Sequence, residues 1–530
     1  MWDLIIRGAT VYDGSGGPSY VADVAVKDGV ISAVGTVSGH GRKEINGAGL
    51  SLAPGFIDAH SHAEAHVFLD PARLCKLQQG FTTEVCGQCG WSRGPADGGM
   101  TAEYRDYMAA SGWGMPERVY GSFADLVQAV EEMRPATHQI SFVGHNIIRG
   151  SVMGMADRAP TQDELQRMIA LMEEAMQEGA LGLSVGLVYA PGIYSSTEEL
   201  IELAKVVGRY GGIYTAHVRD EADRLLEAVD ETIRVAKEAK VRANISHMKV
   251  LYQKNRGLLL EAVKKIEQAN ADGCDITFDV YPYAACSATI LSTLPPSYLS
   301  RGMDWLVNEL ESAEGVARLE KAIMEPTEQW ENPLLIAGFD HDMVVTAPET
   351  PDAAGKLIHD YAVEKGMRDI EAYAYIIAKN RGDVMDIRFI MEEENLDLLY
   401  RHPLCVLGTD GLYIGDGKMS HPRGLASAPR YLGRFIREKQ ILSREEGVRR
   451  LTGLTADRYG LKTKGYIREG YDADLVLFDF EKIIDRATYA EPFLPNDGIE
   501  MVFVSGQAAL VNNRPTGVYN GKVYTRAHCG

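Results

Sequence analysis

Between residues 52 and 410 the chain alternates short apolar runs with amphipathic segments, and this alternation limits its fold more than any other feature. Eight runs read as strands, near Leu52–His62, Thr82–Cys89, Gln139–Gly144, Ala180–Leu187, Ile213–His217, Ala243–His247, Ile276–Val280 and Leu404–Asp410. Helical patterns such as TQDELQRMIALMEEAMQEG (Thr161–Gly179) and EADRLLEAVDETIRVAKEAK (Glu221–Lys240) lie between them. Strands joined through helices run parallel. Eight such units predict the α/β class and a closed (β/α)8 TIM-like barrel.

The gap between the seventh and eighth runs is too long for one loop and holds its own apolar run, PLLIAGF. Part of Ala284 to about Val345 is therefore expected to form an inserted, lid-like subdomain. The two chain ends have a different texture. LIIRGATVYD and ADVAVKDGVISAVG near the start, and ADLVLFD and EMVFVSGQAALVNN near the end, are strand-like with turn residues between them. They predict a small β-sandwich built from residues 1–54 and 461–530, with the barrel over 55–460.

Composition narrows the partners. The formal net charge of −20 repels a phosphate backbone, so no nucleic-acid partner is expected. No stretch reaches the roughly 18 uninterrupted apolar residues of a membrane span, so no membrane partner is expected. The start, MWDLIIRGATVYDG, lacks the basic and then apolar pattern of a secretory signal. With seven cysteines, an odd number, reduced thiols and a cytoplasmic location are the expectation.

A barrel carries its active site at the C-terminal ends of its strands. Five of the eight runs end in a metal-competent residue: His60 and His62, Cys89, His217, His247 and Asp410. A single histidine at a strand end is most often structural. Five strand ends in agreement outweigh that reading, and imidazole, thiolate and carboxylate together suit Zn2+. Cys86 and Cys89 have a C-x-x-C spacing, which alone would also fit a redox pair or half a zinc ribbon. If Thr82–Cys89 is extended, alternation puts Cys89 with Thr83 and Val85 on one face and Cys86 on the other. Cys89 is then the ligand and Cys86 a packing thiol. By the same alternation Lys249 follows His247, and Arg219 follows His217, so either cation could enter the cavity. His145, ending the third run, reads equally as a supporting hydrogen-bond partner or a substrate contact.

The segments PGFIDAHSH, GFTTEVCGQCG, GALGLSVGLVYAPG, TAHVRDE, ISHMK, DVYPYAACS, GTDG and HPR, with the tail GYIREGYDADLVLFDFEKIIDRATY, carry a resemblance. In order, and over nearly the whole chain, they resemble the N-acyl-D-amino-acid deacylase (D-aminoacylase) family of the amidohydrolase superfamily. Many amidohydrolases use a carboxylated lysine on strand four, and this strand four has none; the deacylases use a strand-two cysteine, which matches Cys89. The presence of Cys86 beside it departs from the commoner pattern and bears on local packing.

The resemblance implies that Cys89, His217 and His247 hold a tight zinc and that His60, His62 and Asp410 form a second, weaker position. It also implies that Lys249, Arg423, Tyr281 and Ser287 contact the amino-acid carboxylate or the acyl oxygen, with Tyr283 as well placed as Tyr281. The expected activity is zinc-dependent hydrolysis of the amide of a small-molecule N-acyl-D-amino acid to a carboxylate and a free D-amino acid. Asp410 would take the proton from water and deliver it to the leaving nitrogen. The D preference comes from the resemblance alone. Two rivals are a cyclic-amide hydrolase of hydantoinase or dihydropyrimidinase type, which the missing lysine disfavours, and a non-catalytic assembly protein of amidohydrolase descent, which the intact histidines disfavour.

Overall fold

The computed structural model describes residues 1–111, 118–412 and 419–529. Eight parallel strands follow one another around a ring: β1 (Phe56–Asp58), β2 (Phe81–Cys86), β3 (His138–Ser141, resuming at Val143–Gly144), β4 (Gly182–Gly186), β5 (Ile213–His217), β6 (Arg242–Ile245), β7 (Ile276–Val280) and β8 (Cys405–Leu407). Each pairs in parallel with the next. The ring closes where Ala59 N–H donates to Leu407 O at 3.2 Å and Asp410 N–H donates to His60 O at 2.8 Å. The connecting helices bury one face each. In Gln162–Gln177 the buried residues Met168, Met172, Ala175 and Met176 recur at helical spacing, and Thr161 and Glu164 close a reciprocal cap at its start.

Several boundaries differ from expectation, each for a local reason. The run Leu52–His62 serves two sheets: Ser51–Pro54 joins the sheet made by the chain ends, and β1 begins after Gly55. A Cβ on Gly55 would lie 2.1 Å from the Thr82 hydroxyl, so only glycine lets the chain pass between the sheets. The expected sandwich is, by hydrogen bonding, one nine-stranded sheet that draws strands from both ends of the chain. Leu4, Ile6, Val24, Val26, Leu52, Leu475, Leu477 and Phe503 fill its core.

The inserted region runs well past Val345. Its three-stranded sheet has Met385–Arg388 as the central strand, between Cys286–Thr289 and Asp342–Thr346. Helices Ile358–Lys365 and Asp369–Lys379 pack into the same core. PLLIAGF, apolar enough to pass for a strand, begins as the short helix Pro333–Ala337, opened by Asn332 accepting from Leu335 N–H. Among the described residues no helix is long and apolar enough to cross a membrane.

Candidate metal centre

The residues at the C-terminal mouth of the ring are brought together by turns that abandon strand geometry. β2 ends at Cys86, three residues earlier than expected, and Gly87 (φ +71), Cys89 (φ 53) and Gly90 (φ +79) all take left-handed backbone. Strict alternation therefore does not explain Cys89. The turn does, and it is pinned from β4: the Ser184 hydroxyl donates to Gly87 O at 2.5 Å and accepts from Gly90 N–H at 3.1 Å. Gly186 allows the close approach, because a Cβ there would stand 2.1 Å from Cys89 O. His247 (φ 36) and Asp410 (φ 48) lie just beyond the ends of β6 and β8 in the same conformation.

Cys89 Sγ lies 3.3 Å from His60 Nε2 and 3.3 Å from His247 Nε2. His60 Nε2 is 3.5 Å from Asp410 Oδ1, and His62 Nε2 is 3.1 Å from the same oxygen. One ligand atom each from His60, Cys89, His247 and Asp410 fall within 4.8 Å of one another, and His217, Glu221 and His247 form a second such group. The six expected residues thus do not separate into two clean triads. Cys89 sits between them, and His62 reaches the cluster through Asp410. All six are buried. Cys86 is buried too, bonded to Glu84 O at 3.6 Å and outside both groups.

The surroundings decide what this cluster can do. Burial, and then the neighbouring charges of Asp410 and Asp279, push the Cys89 thiol well above its ordinary value. Burial also pushes His217 and His247 well below theirs, helped at His217 by His247 and at His247 by Lys249. Burial works against ionisation of Asp410, but Arg423 and His247 outweigh it and hold the carboxyl well below the usual range. Burial likewise opposes protonation of His62, yet Glu64 and Asp410 raise it to about 9. Neutral imidazoles and a carboxylate around a buried thiol fit a divalent cation, whose own charge would reverse the cost of a buried thiolate.

A narrow cavity opens beside the cluster. His217, His247, Lys249, Tyr281, Ser287, Asp410 and Arg423 line it. Lys249 Nζ donates to Glu221 Oε1 at 2.5 Å, and Arg423 pairs with Asp410 at 2.9 Å. Tyr283 does not line it; it packs against His421, Tyr489 and Arg430. A tight turn in which Tyr283 N–H meets Tyr281 O at 3.0 Å sends the two rings apart. Arg219 points elsewhere, pairing with Glu231 and the carbonyls of Ile193 and Ser195. His145 bonds Glu199 at 2.8 Å, away from the cavity. Among the cavity residues that sequence reasoning missed are Glu221, Cys286, Glu331 and Arg388. Only Glu221 had a readable signal, lying four residues after His217.

The amidohydrolase family description matches residues 43–509. The chain belongs to the amidohydrolase family. Among amidohydrolases it is 32% identical to an N-acyl-D-aspartate deacylase of Alcaligenes xylosoxydans xylosoxydans, over 98% of this chain and 94% of that one. It is also 32% identical to a D-aminoacylase of the same organism, over 99% and 98%. A crystal structure of N-acyl-D-glutamate deacylase from Bordetella bronchiseptica superposes with a TM-score of 0.83 at 30% identity, covering 98% of this chain and 99% of that one. That structure is complexed with zinc and a phosphonate inhibitor that mimics the tetrahedral intermediate of the reaction.

The geometry predicts different outcomes for the two neighbouring cysteines. Cys89→Ala removes the sulfur donor from the cluster and should purify with its divalent-metal content lowered at least ~10-fold. Cys86→Ala leaves only a small packing defect and should retain its metal. Elemental analysis of both variants checks this, and equal loss from both would revive the paired-cysteine reading.

Proposed function

We propose that this amidohydrolase cleaves the amide of N-acyl-D-amino acids, giving a carboxylate and a free D-amino acid, with zinc as its cofactor. The observation that carries the reading is Cys89, a buried thiol 3.3 Å from each of two imidazoles beside the Asp410 carboxylate. Near full-length similarity to chains named as deacylases of N-acyl-D-amino acids supports the substrate class and its D configuration.

By the family resemblance Cys89, His217 and His247 would hold the tight ion, and His60, His62 and Asp410 a second, weaker one; the two positions adjoin, because Cys89 and His247 also lie within 4.8 Å of His60 and Asp410. When bound, zinc supplies a Lewis acid that lowers the pKa of water towards ~7 and polarises an acyl carbonyl. Asp410 accepts the proton of the attacking water as its oxygen joins the acyl carbon. It returns that proton to the nitrogen as the carbon–nitrogen bond breaks. Arg423, 2.9 Å from Asp410 Oδ2, orients the carboxylate and keeps it ionised between turnovers.

Lys249 and Arg423 both lie over the Tyr281 ring, at 5.7 and 4.7 Å. With Ser287 they form a cationic, hydrogen-bonding wall suited to the α-carboxylate and acyl oxygen. Tyr283 drops out of this set. The inserted region acts as the lid, because Cys286, Ser287, Ala288, Ser292, Glu331 and Arg388 bring one side of the cavity from it.

Two outcomes test this. Asp410→Asn keeps the shape but cannot accept a proton at neutral pH. Its kcat should fall by ~10²–10⁴ while the tight zinc stays; near-normal turnover of the fully metallated variant would end the proton-transfer role. Saturating substrate should also slow hydrogen exchange within residues 284–390, and unchanged exchange there would remove the lid.

A further inference from the structure

The charges on the cavity wall do not balance locally. Lys249 is 2.5 Å from Glu221, and Arg423 is 2.9 Å from Asp410. Arg388 is held by Asp386 through two bonds, at 3.0 and 2.8 Å, and by Ser292 Oγ at 2.9 Å. Each cation therefore has its own anion. Glu331 has none: its Oε2 accepts the amide of Glu221 at 2.7 Å, and among the described residues no Lys, Arg or His reaches it as an ion pair.

The neighbourhood sharpens the imbalance. Burial and then the charges of Glu221 and Asp220 raise the Glu331 carboxyl to about 8, against smaller opposing effects from the Glu221 amide and Arg388. A carboxyl in this state is largely protonated near neutral pH, and an incoming cation draws it into the ionised form and pairs with it. Binding of an α-carboxylate to Lys249 and Arg423 would not relieve it, because neither cation faces Glu331 at bonding distance. Glu331 comes from the inserted region, outside every motif that builds the metal cluster, and its hydrogen bond towards that cluster is the one from the Glu221 amide.

Resting on the reading of the site as an N-acyl-D-amino-acid hydrolase, we infer that Glu331 is a specificity residue selecting substrates that carry an alkylammonium or guanidinium group. An acidic side chain finds no opposite charge to pair with at Glu331. This separates the chain from the N-acyl-D-aspartate and N-acyl-D-glutamate deacylases it is similar to. The cation can sit on the amino-acid side chain or on the acyl group, and two matched pairs distinguish these sources.

The test compares kcat/KM of the zinc-loaded enzyme within each pair at one pH. N-acetyl-D-lysine against N-acetyl-D-norleucine reports on the side chain. N-(β-alanyl)-D-norleucine against N-propanoyl-D-norleucine reports on the acyl group, and N-acetyl-D-glutamate is the anionic control. In at least one pair the cationic member should be favoured ~10-fold or more, the scale of one charge-assisted hydrogen bond. N-acetyl-D-glutamate should be a poorer substrate than the favoured cationic compound, and Glu331→Gln should collapse the cationic preference towards unity. The wild-type ratios stand even if that variant fails to fold. Turnover with no cationic preference in either pair, or a preference for N-acetyl-D-glutamate, overturns this inference alone. No turnover of any of the five compounds overturns the hydrolase reading and this inference with it.

Discussion

The candidate centre depends on three non-glycine residues held in left-handed backbone: Cys89, His247 and Asp410. Each such residue costs on the order of 1–2 kcal/mol, so the surrounding fold has to impose it. The restraint comes from neighbouring strands. Ser184 on β4 grips the Cys89 loop from two sides. Asp279 on β7 accepts from His247 N–H at 2.8 Å. The main chain of Asp410 hangs on His60 O, while Asp58 holds Thr409 through its amide at 2.8 Å and its hydroxyl at 2.7 Å. Lys76 Nζ completes that last knot, donating to Asp58 at 2.5 Å and Thr409 at 2.7 Å. A closed ring makes this possible, because every strand end has a neighbour on both sides to pull against.

The same arrangement explains why the site is chemically unbalanced without a cation. The buried thiol of Cys89, its ionisation suppressed, the neutral imidazole of His247 and the ionised carboxylate of Asp410 lie in one small group with His60. Burial of such groups is expensive unless something compensates them. A divalent cation beside them compensates the group, which is why it reads as a binding site more than as a structural network. The structural networks elsewhere in the ring look different. Arg73 with Glu84, and Lys76 with Asp58, are cation–anion pairs, linked where Lys76 Nζ lies 3.8 Å from Glu84.

Much of this was legible in the sequence. Each of the eight apolar runs overlaps a strand of the ring, and the residues at their ends converge, because hydrophobic periodicity and chain order fix a parallel α/β ring strongly. Details beyond the strand ends were not legible. Alternation holds only within a strand, so past Ile245, His217 and Val280 it could not tell that Lys249 enters the cavity while Arg219 and Tyr283 leave it. It separated Cys86 from Cys89 for the wrong reason, since the strand stops at Cys86 and a left-handed turn does the rest. Glu331 and Arg388 escaped because they reach the cavity from an insertion whose position depends on long-range packing, with no local pattern to mark it.

The central claim is that a thiolate from Cys89 binds zinc at the mouth of the ring. X-ray absorption at the zinc edge, on protein carrying one equivalent of zinc, reads it directly. The account predicts one sulfur at ~2.3 Å together with nitrogen or oxygen neighbours at ~2.0–2.1 Å, and loss of the sulfur contribution in Cys89→Ala. A spectrum containing only nitrogen and oxygen neighbours would contradict it.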